Sequence, residues 1–181
     1  WSSGNAMITA RRFLAGTGTQ NAGLAMGGST PTIVACVEEY DGTNWSAGGA
    51  LIIAKALSAT TGVGTQDAAY TIAGSTPTLL YSTEEYDGSA WSAKGNMLVA
   101  IYGSAGLGTN SSALTTGGGT PSPVASTYLY SSYCSTTLCS NLPVWSGTAN
   151  MLAASGYGAG FGTQNAAVVA TGTDGSATDT A

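Results

Sequence analysis

Two pairs of adjacent carboxylates, Glu38-Glu39 and Glu84-Glu85, are the groups in this chain best suited by type and spacing to chemistry. Glycoside hydrolysis uses two carboxyl groups that flank one bond, roughly 5 to 10 Å apart. Neighbours on a strand point to opposite faces, however, and both pairs recur inside the same segment, EEYDG, at 38–42 and 84–88. They read as solubilising acids beside a turn, with Asp41 and Asp87 as turn residues. Nucleophilic catalysis of the Ser-His-Asp or Cys-His kind is excluded in its usual forms, because the chain has no histidine to act as base.

The other chemical candidates are read the same way. Four Gly-x-Gly-Thr steps begin at Gly16, Gly62, Gly106 and Gly160. A phosphate cradle would need a helix start and usually a lysine after them, and neither follows. The glycines more simply serve tight turns or close strand packing. Cys36 aligns with Ser82 and Ser126 and reads as a small packed side chain. Cys134 and Cys139 bracket a short segment and are expected to form a disulfide; zinc would require four ligands, and no second Cys or His pair exists. Asp174 and Asp179 faintly resemble a calcium loop but read as a polar end. No cofactor and no metal are expected, and the chain is expected not to be an enzyme.

The elements that must carry these residues form a repeat. Trp1, Trp45, Trp91 and Trp145 are spaced 44, 46 and 54 residues apart, a period typical of propeller blades. After each Gly-x-Gly-Thr step comes an apolar run that ends in glycine, at Gly28, Gly74, Gly118 and Gly172. Twelve residues beyond the first three of these stand Tyr40, Tyr86 and Tyr130. Asp-Gly then opens a hairpin turn into tryptophan in EEYDGTNW and EEYDGSAW, since glycine takes the positive φ such a turn needs. Each unit therefore reads as four short strands, the third with Val34, Cys36, Glu38 and Tyr40 on one face. Helix has little support: ALIIAKALSA at 50–59 matches segments whose glycines and β-branched residues disfavour it.

The repeats are placed at about 1–44, 45–90, 91–144 and 145–181, with an insertion at 131–144 that carries both Cys134 and Cys139. This arithmetic yields three complete blades and partial ones. The opening at Trp1, without methionine or leader, reads as a processed end or as part of a larger propeller. The tryptophans are expected to pack between blades, with Trp45 and Trp91 each contributing roughly 3 to 5 kcal/mol.

A glycine doublet after an apolar strand, then tyrosine, then tryptophan about five residues on resembles the kelch repeat. The resemblance covers essentially the whole chain. It implies an all-β fold of kelch-like β-propeller blades, each a four-stranded antiparallel sheet. The sequence departs from the pattern at Ala73-Gly74, at Thr171-Gly172 and after Tyr130, where Asp-Gly is missing. EEYDGxxW joined to Gly-Thr-Gln-Asn and an alanine-rich strand further resembles kelch-like arrays of bacteriophage structural proteins.

Composition narrows the partners. Only 4 residues are Lys or Arg and 9 are Asp or Glu, a net charge of −5, against about 25% charged residues in ordinary globular domains. No basic stripe exists to neutralise phosphates, so neither nucleic acid nor an anionic membrane is an expected partner. No apolar run approaches a membrane-spanning helix. The expected role is a non-enzymatic structural or interaction module of a bacteriophage virion (tail, fibre or capsid decoration), with copies of itself, other virion proteins and a host-surface glycan as the expected partners. The alternative is a secreted bacterial surface or extracellular filament protein that binds glycans or cells through propeller loops. The unique insertion is the first place to look for a binding surface.

Overall fold

A computed structural model describes residues 2–56 and 63–131 and the strand segments 144–147, 159–163 and 166–170. The described chain is all β. The first sheet comprises β1 (Ala15–Thr19), β2 (Ala22–Met26), β3 (Val37–Tyr40) and β4 (Trp45–Ala47), hydrogen-bonded in that order. The second comprises β5 (Val63–Gly64), β6 (Ala69–Ile72), β9 (Thr83–Tyr86) and β10 (Trp91–Lys94), with a small ribbon of β7 (Ser75–Thr76) and β8 (Thr78–Leu79) in its central loop. The third comprises β11 (Ala105–Thr109), β12 (Ser112–Thr116), β13 (Thr127–Ser131) and β14 (Val144–Gly147). A two-stranded sheet of β15 (Ala159–Thr163) and β16 (Ala166–Ala170) follows. All pairings are antiparallel.

First strands neighbour first strands. β5 touches both β1 and β11, and β11 touches β15, while Thr17 Oγ1 donates to Gly64 O at 2.7 Å. The sheets thus stand side by side as propeller blades, although the described strands do not close a ring. Three four-stranded blades and a partial one are what the repeat arithmetic implies.

Glycine explains the Gly-x-Gly-Thr steps. Thr19 pairs with Ala22 across the two-residue turn Gln20-Asn21, and Gly18 just before it has φ 103°. A Cβ there would lie 2.1 Å from the Ala22 carbonyl oxygen, and at Gly64 and Gly108 the corresponding distances are 1.9 and 2.2 Å. Only glycine fits. The second residue of each doublet is constrained too: Gly28, Gly74 and Gly118 have φ of 101°, 103° and 90°, and each carbonyl receives the N–H of Val34, Leu80 or Val124. The first residue of the doublet sits at a milder φ of 54° in Ala73, in the small left-handed region that an L-residue can enter. That is why the doublet survives as Ala73-Gly74.

The core lies between blades. One cluster joins Ala15, Leu24, Met26, Val37 and Leu51 on the first blade and its outgoing linker to Ala69, Tyr86 and Trp91 of the second. The other joins Val63, Tyr70, Ile72 and Ala73 to Met97, Ile101, Ala113, Tyr128 and Tyr130. A blade's two faces are therefore both buried where it has neighbours, the condition that makes its strands largely apolar.

Some expectations shift. The third strand starts at Val37, so Val34 and Cys36 lie in the loop that leads into it. As expected, residues 50–56 are not helical, and the rest of that segment, 57–59, lies outside the described residues. Trp1, Cys134, Cys139 and Gly172 lie outside the described residues; Trp145 lies on β14 opposite Tyr130.

Candidate functional site

The residues with chemical potential converge on the linkers and seams. Contrary to the expectation of solubilising acids, Glu38 and Glu84 are interior, 2% and 1% exposed. Arg11, in the linker that enters the first blade, places Nη2 3.1 Å from Glu38 Oε1. Its Nη1 donates to the carbonyls of Gly27 and Cys36, both at 2.7 Å. Glu38 also accepts from the linker amides of Ile8 at 2.8 Å and Thr9 at 3.1 Å.

The second blade repeats this with lysine. Lys55 Nζ lies 2.7 Å from Glu84 Oε1 and donates to Thr71 Oγ1 and Ser82 Oγ. Glu84 accepts from Ile52 N at 2.7 Å and Ile53 N at 3.3 Å. Burial pushes the Lys55 ammonium below its ordinary pKa, and the adjacent Glu84 carboxylate partly offsets this. Each carboxylate thus does two jobs: it neutralises a cation and it ties down the linker backbone. Bridges Arg12 to Ser29, Ala56 to Ser75 and Tyr102 to Gly119 fix the correspondence between blades. By that register the third blade has Ile101 for the cation and Tyr128 for the carboxylate, 0% and 8% exposed.

The second acid of each pair belongs to the seam. Tyr86 of the second blade donates a short hydrogen bond to Glu39 of the first, and Trp91 Nε1 donates to Gly49 O at 2.8 Å. Burial first, and the Glu39 bond second, pushes the Tyr86 hydroxyl up to about 12. Gln66, at the tip of the second blade's first hairpin, donates to Gly23 O and Tyr40 O of the first blade at 3.1 and 2.9 Å. At the next seam Tyr130 OH meets Tyr70 OH at 2.6 Å, and burial raises the pKa of both hydroxyls, Tyr70 also through its bond to Tyr130. Glu85 pairs with Lys94 at 2.7 Å, which raises the Lys94 pKa, and accepts from Asn110 at 3.4 Å.

Asp41 and Asp87 are turn residues, as expected. Asp41 Oδ1 accepts from Thr43 N and Asn44 N, and Asp87 Oδ1 from Ser89 N and Ala90 N. Those bonds, the ones from Asn44 and Ala90 foremost, hold both carboxyls below the usual range.

The tryptophans are not equivalent. Tyr86 and Trp91 stack at 4.9 Å and are buried against the first blade. Tyr40 and Trp45 adopt a similar pairing at 5.0 Å but remain half-buried. Cys36 is a free thiol of intermediate exposure. Sequence reasoning missed Arg11, Lys55, Gln66 and Tyr70. The signal available for the first two was a cation at one matched linker position in successive repeats.

All four glutamates of the chain are therefore engaged in ion pairs or hydrogen bonds that hold blades and linkers together. Among the described residues no group of three or more His, Cys, Asp or Glu is placed to hold a metal ion. Among them, too, no helix is long and apolar enough to cross a membrane.

No known family model matches the chain, and no curated protein matches it. Among solved structures it is similar to one titled "Structure of YjhT", with a TM-score of 0.66 at 11% identity over 83% of this chain. The chain spans 56% of that protein's length. The likeness is one of fold.

Proposed function

We propose that this chain is a kelch-like, non-enzymatic structural module of a bacteriophage particle (a tail, fibre or capsid-decorating component) that assembles in several copies. The observation that carries the non-enzymatic reading is the use of the acids. Glu38, Glu39, Glu84 and Glu85 each have structural partners, so no glutamate remains as a poised acid or base in a cleft. The chain also has no histidine, the commonest general base. The virion reading is supported by texture: near-absence of charge, abundant small and hydroxyl residues, and blades that repeat closely in sequence. Fold alone does not assign a role.

Mass spectrometry of gradient-purified particles tests this. The chain's peptides should be present at a stoichiometry of several copies per particle. Their absence from particles, with recovery from the bacterial surface or medium, would replace the proposal with the secreted surface protein.

A further inference from the structure

Antiparallel order puts the turns after β1, β3, β5, β9 and β11 at one end of the blades, and the central loops and inter-blade linkers at the other. The two ends differ sharply in chemistry. The turn end carries Asp41, Asp67 and Asp87. The linker end carries Ile8, Ile52 and Leu98, which are 63%, 57% and 58% exposed.

These three occupy one matched position. Ile8 and Ile52 are the residues whose amides bind Glu38 and Glu84. Leu98 follows the buried Met97 as Ile52 follows the buried Leu51. A single exposed aliphatic residue is ordinary. The same position kept aliphatic in three successive linkers, with its side chain turned out of the core each time, is not accounted for by packing within the blade. Phe13, Tyr81 and Val99 are also exposed at this end. Summed over the six side chains, the exposed apolar surface is on the order of the roughly 300 to 600 Å² seen for the largest patch on a monomer. A standard interface takes about 800 Å² from each partner, so the flanking hydroxyl-rich loops would have to supply the remainder.

Charge selects the occupant. Among the described residues the charged groups near this end that are not buried are Arg12, stacked over Phe13 at 5.3 Å, and Lys94, paired with Glu85. An anionic polymer or membrane would find almost nothing to bind. Head-to-tail stacking of copies would press Asp41, Asp67 and Asp87 against apolar side chains, at a desolvation cost. Packing two linker ends together keeps the aspartates of both copies outermost in a chain of net charge −5. A self-complementary patch of this kind closes about a twofold axis.

We infer that two copies of this chain pair end to end through their linker faces, with Ile8, Ile52 and Leu98 at the centre of the contact. This rests on the reading of the chain as an assembling module and gives that reading a surface.

Sedimentation equilibrium from micromolar to hundreds of micromolar protein tests it. The parent should show a concentration-dependent doubling of mass. Replacing Ile8, Ile52 and Leu98 together by serine should weaken dimerisation at least tenfold while the thermal midpoint is kept, and replacing Asp41 and Asp87 by serine should leave it unchanged. If the triple variant loses its fold, the single Ile52→Arg change reads the same weakening. A parent that stays monomeric, or a dimer that survives the linker changes, overturns the inference. A monomer still found in particles refutes this surface and leaves the virion role standing; a dimer absent from particles does the reverse.

Discussion

Blades one and two each secure their incoming linker with a buried cation and carboxylate, Arg11 with Glu38 and Lys55 with Glu84, whereas the third blade fills the matched positions with Ile101 and Tyr128. Removing two charges from water costs several kcal/mol per ion, and the pair recovers this only when the remaining donors and acceptors are also met. The second blade meets that condition through the amides of Ile52 and Ile53 and the hydroxyls of Thr71 and Ser82; the first meets it through the amides of Ile8 and Thr9 and the carbonyls of Gly27 and Cys36, except at Arg11 Nε, which is buried without a partner. The third avoids the cost by joining Ile101 and Tyr128 to the apolar seam. What all three blades share at this place is a filled volume; the charged pairs of the first two also hold the linker amides.

The sharpest way to break this comparison is to remove one partner of a charged pair. Glu84→Gln leaves the Lys55 ammonium buried without its counter-ion and should destabilise the protein by about 3 to 5 kcal/mol. Tyr128→Phe in the third blade removes no buried charge and should cost less than about 1.5 kcal/mol. Urea unfolding of the two variants reads the contrast, and equal losses would mean that the charged pair is not held as described.

The seams offer a second contrast, of similar size at its upper end. Trp91→Ala removes a buried ring and its bond to Gly49, and should cost about 3 to 5 kcal/mol. Trp45→Ala removes a half-buried ring and should cost about 1 to 2 kcal/mol. Sequence alone gives these two residues the same value, because the repeat shows their position in a blade but not whether another blade lies against it.

A smaller, pH-dependent effect sharpens the seam further. The Tyr86 hydroxyl titrates near 12 in the folded protein against 10.0 ordinarily, so the folded state holds this proton more tightly than the unfolded one. Its stabilisation is complete below pH 10 and is lost as pH rises toward 12. Tyr86→Phe should therefore show a shallower fall of the thermal midpoint over that window than the parent. An identical fall would remove Tyr86 from the pH response.

Much of the architecture was legible beforehand. Asp-Gly and Gly-x-Gly-Thr mark hairpins whose backbone only glycine can follow, and the spacing of tyrosine and tryptophan counts the blades. The burial of Glu38 and Glu84 was not legible, since each faces a cation 27 to 29 residues earlier in the chain, on a linker without regular structure. The bond from Tyr86 to Glu39 spans 47 residues and exists only once two sheets stand face to face. Period-two alternation predicts which way a side chain points within a sheet; it carries no information on what the next sheet brings.

The central claim, that the site needs filling more than it needs charge, is tested most directly by transplanting the third blade's solution into the second. The double change Lys55→Ile with Glu84→Tyr should unfold in urea within about 1 kcal/mol of the parent or above it, as exchange of a buried ion pair for packed apolar groups often does. A double variant as unstable as Glu84→Gln alone would contradict the account.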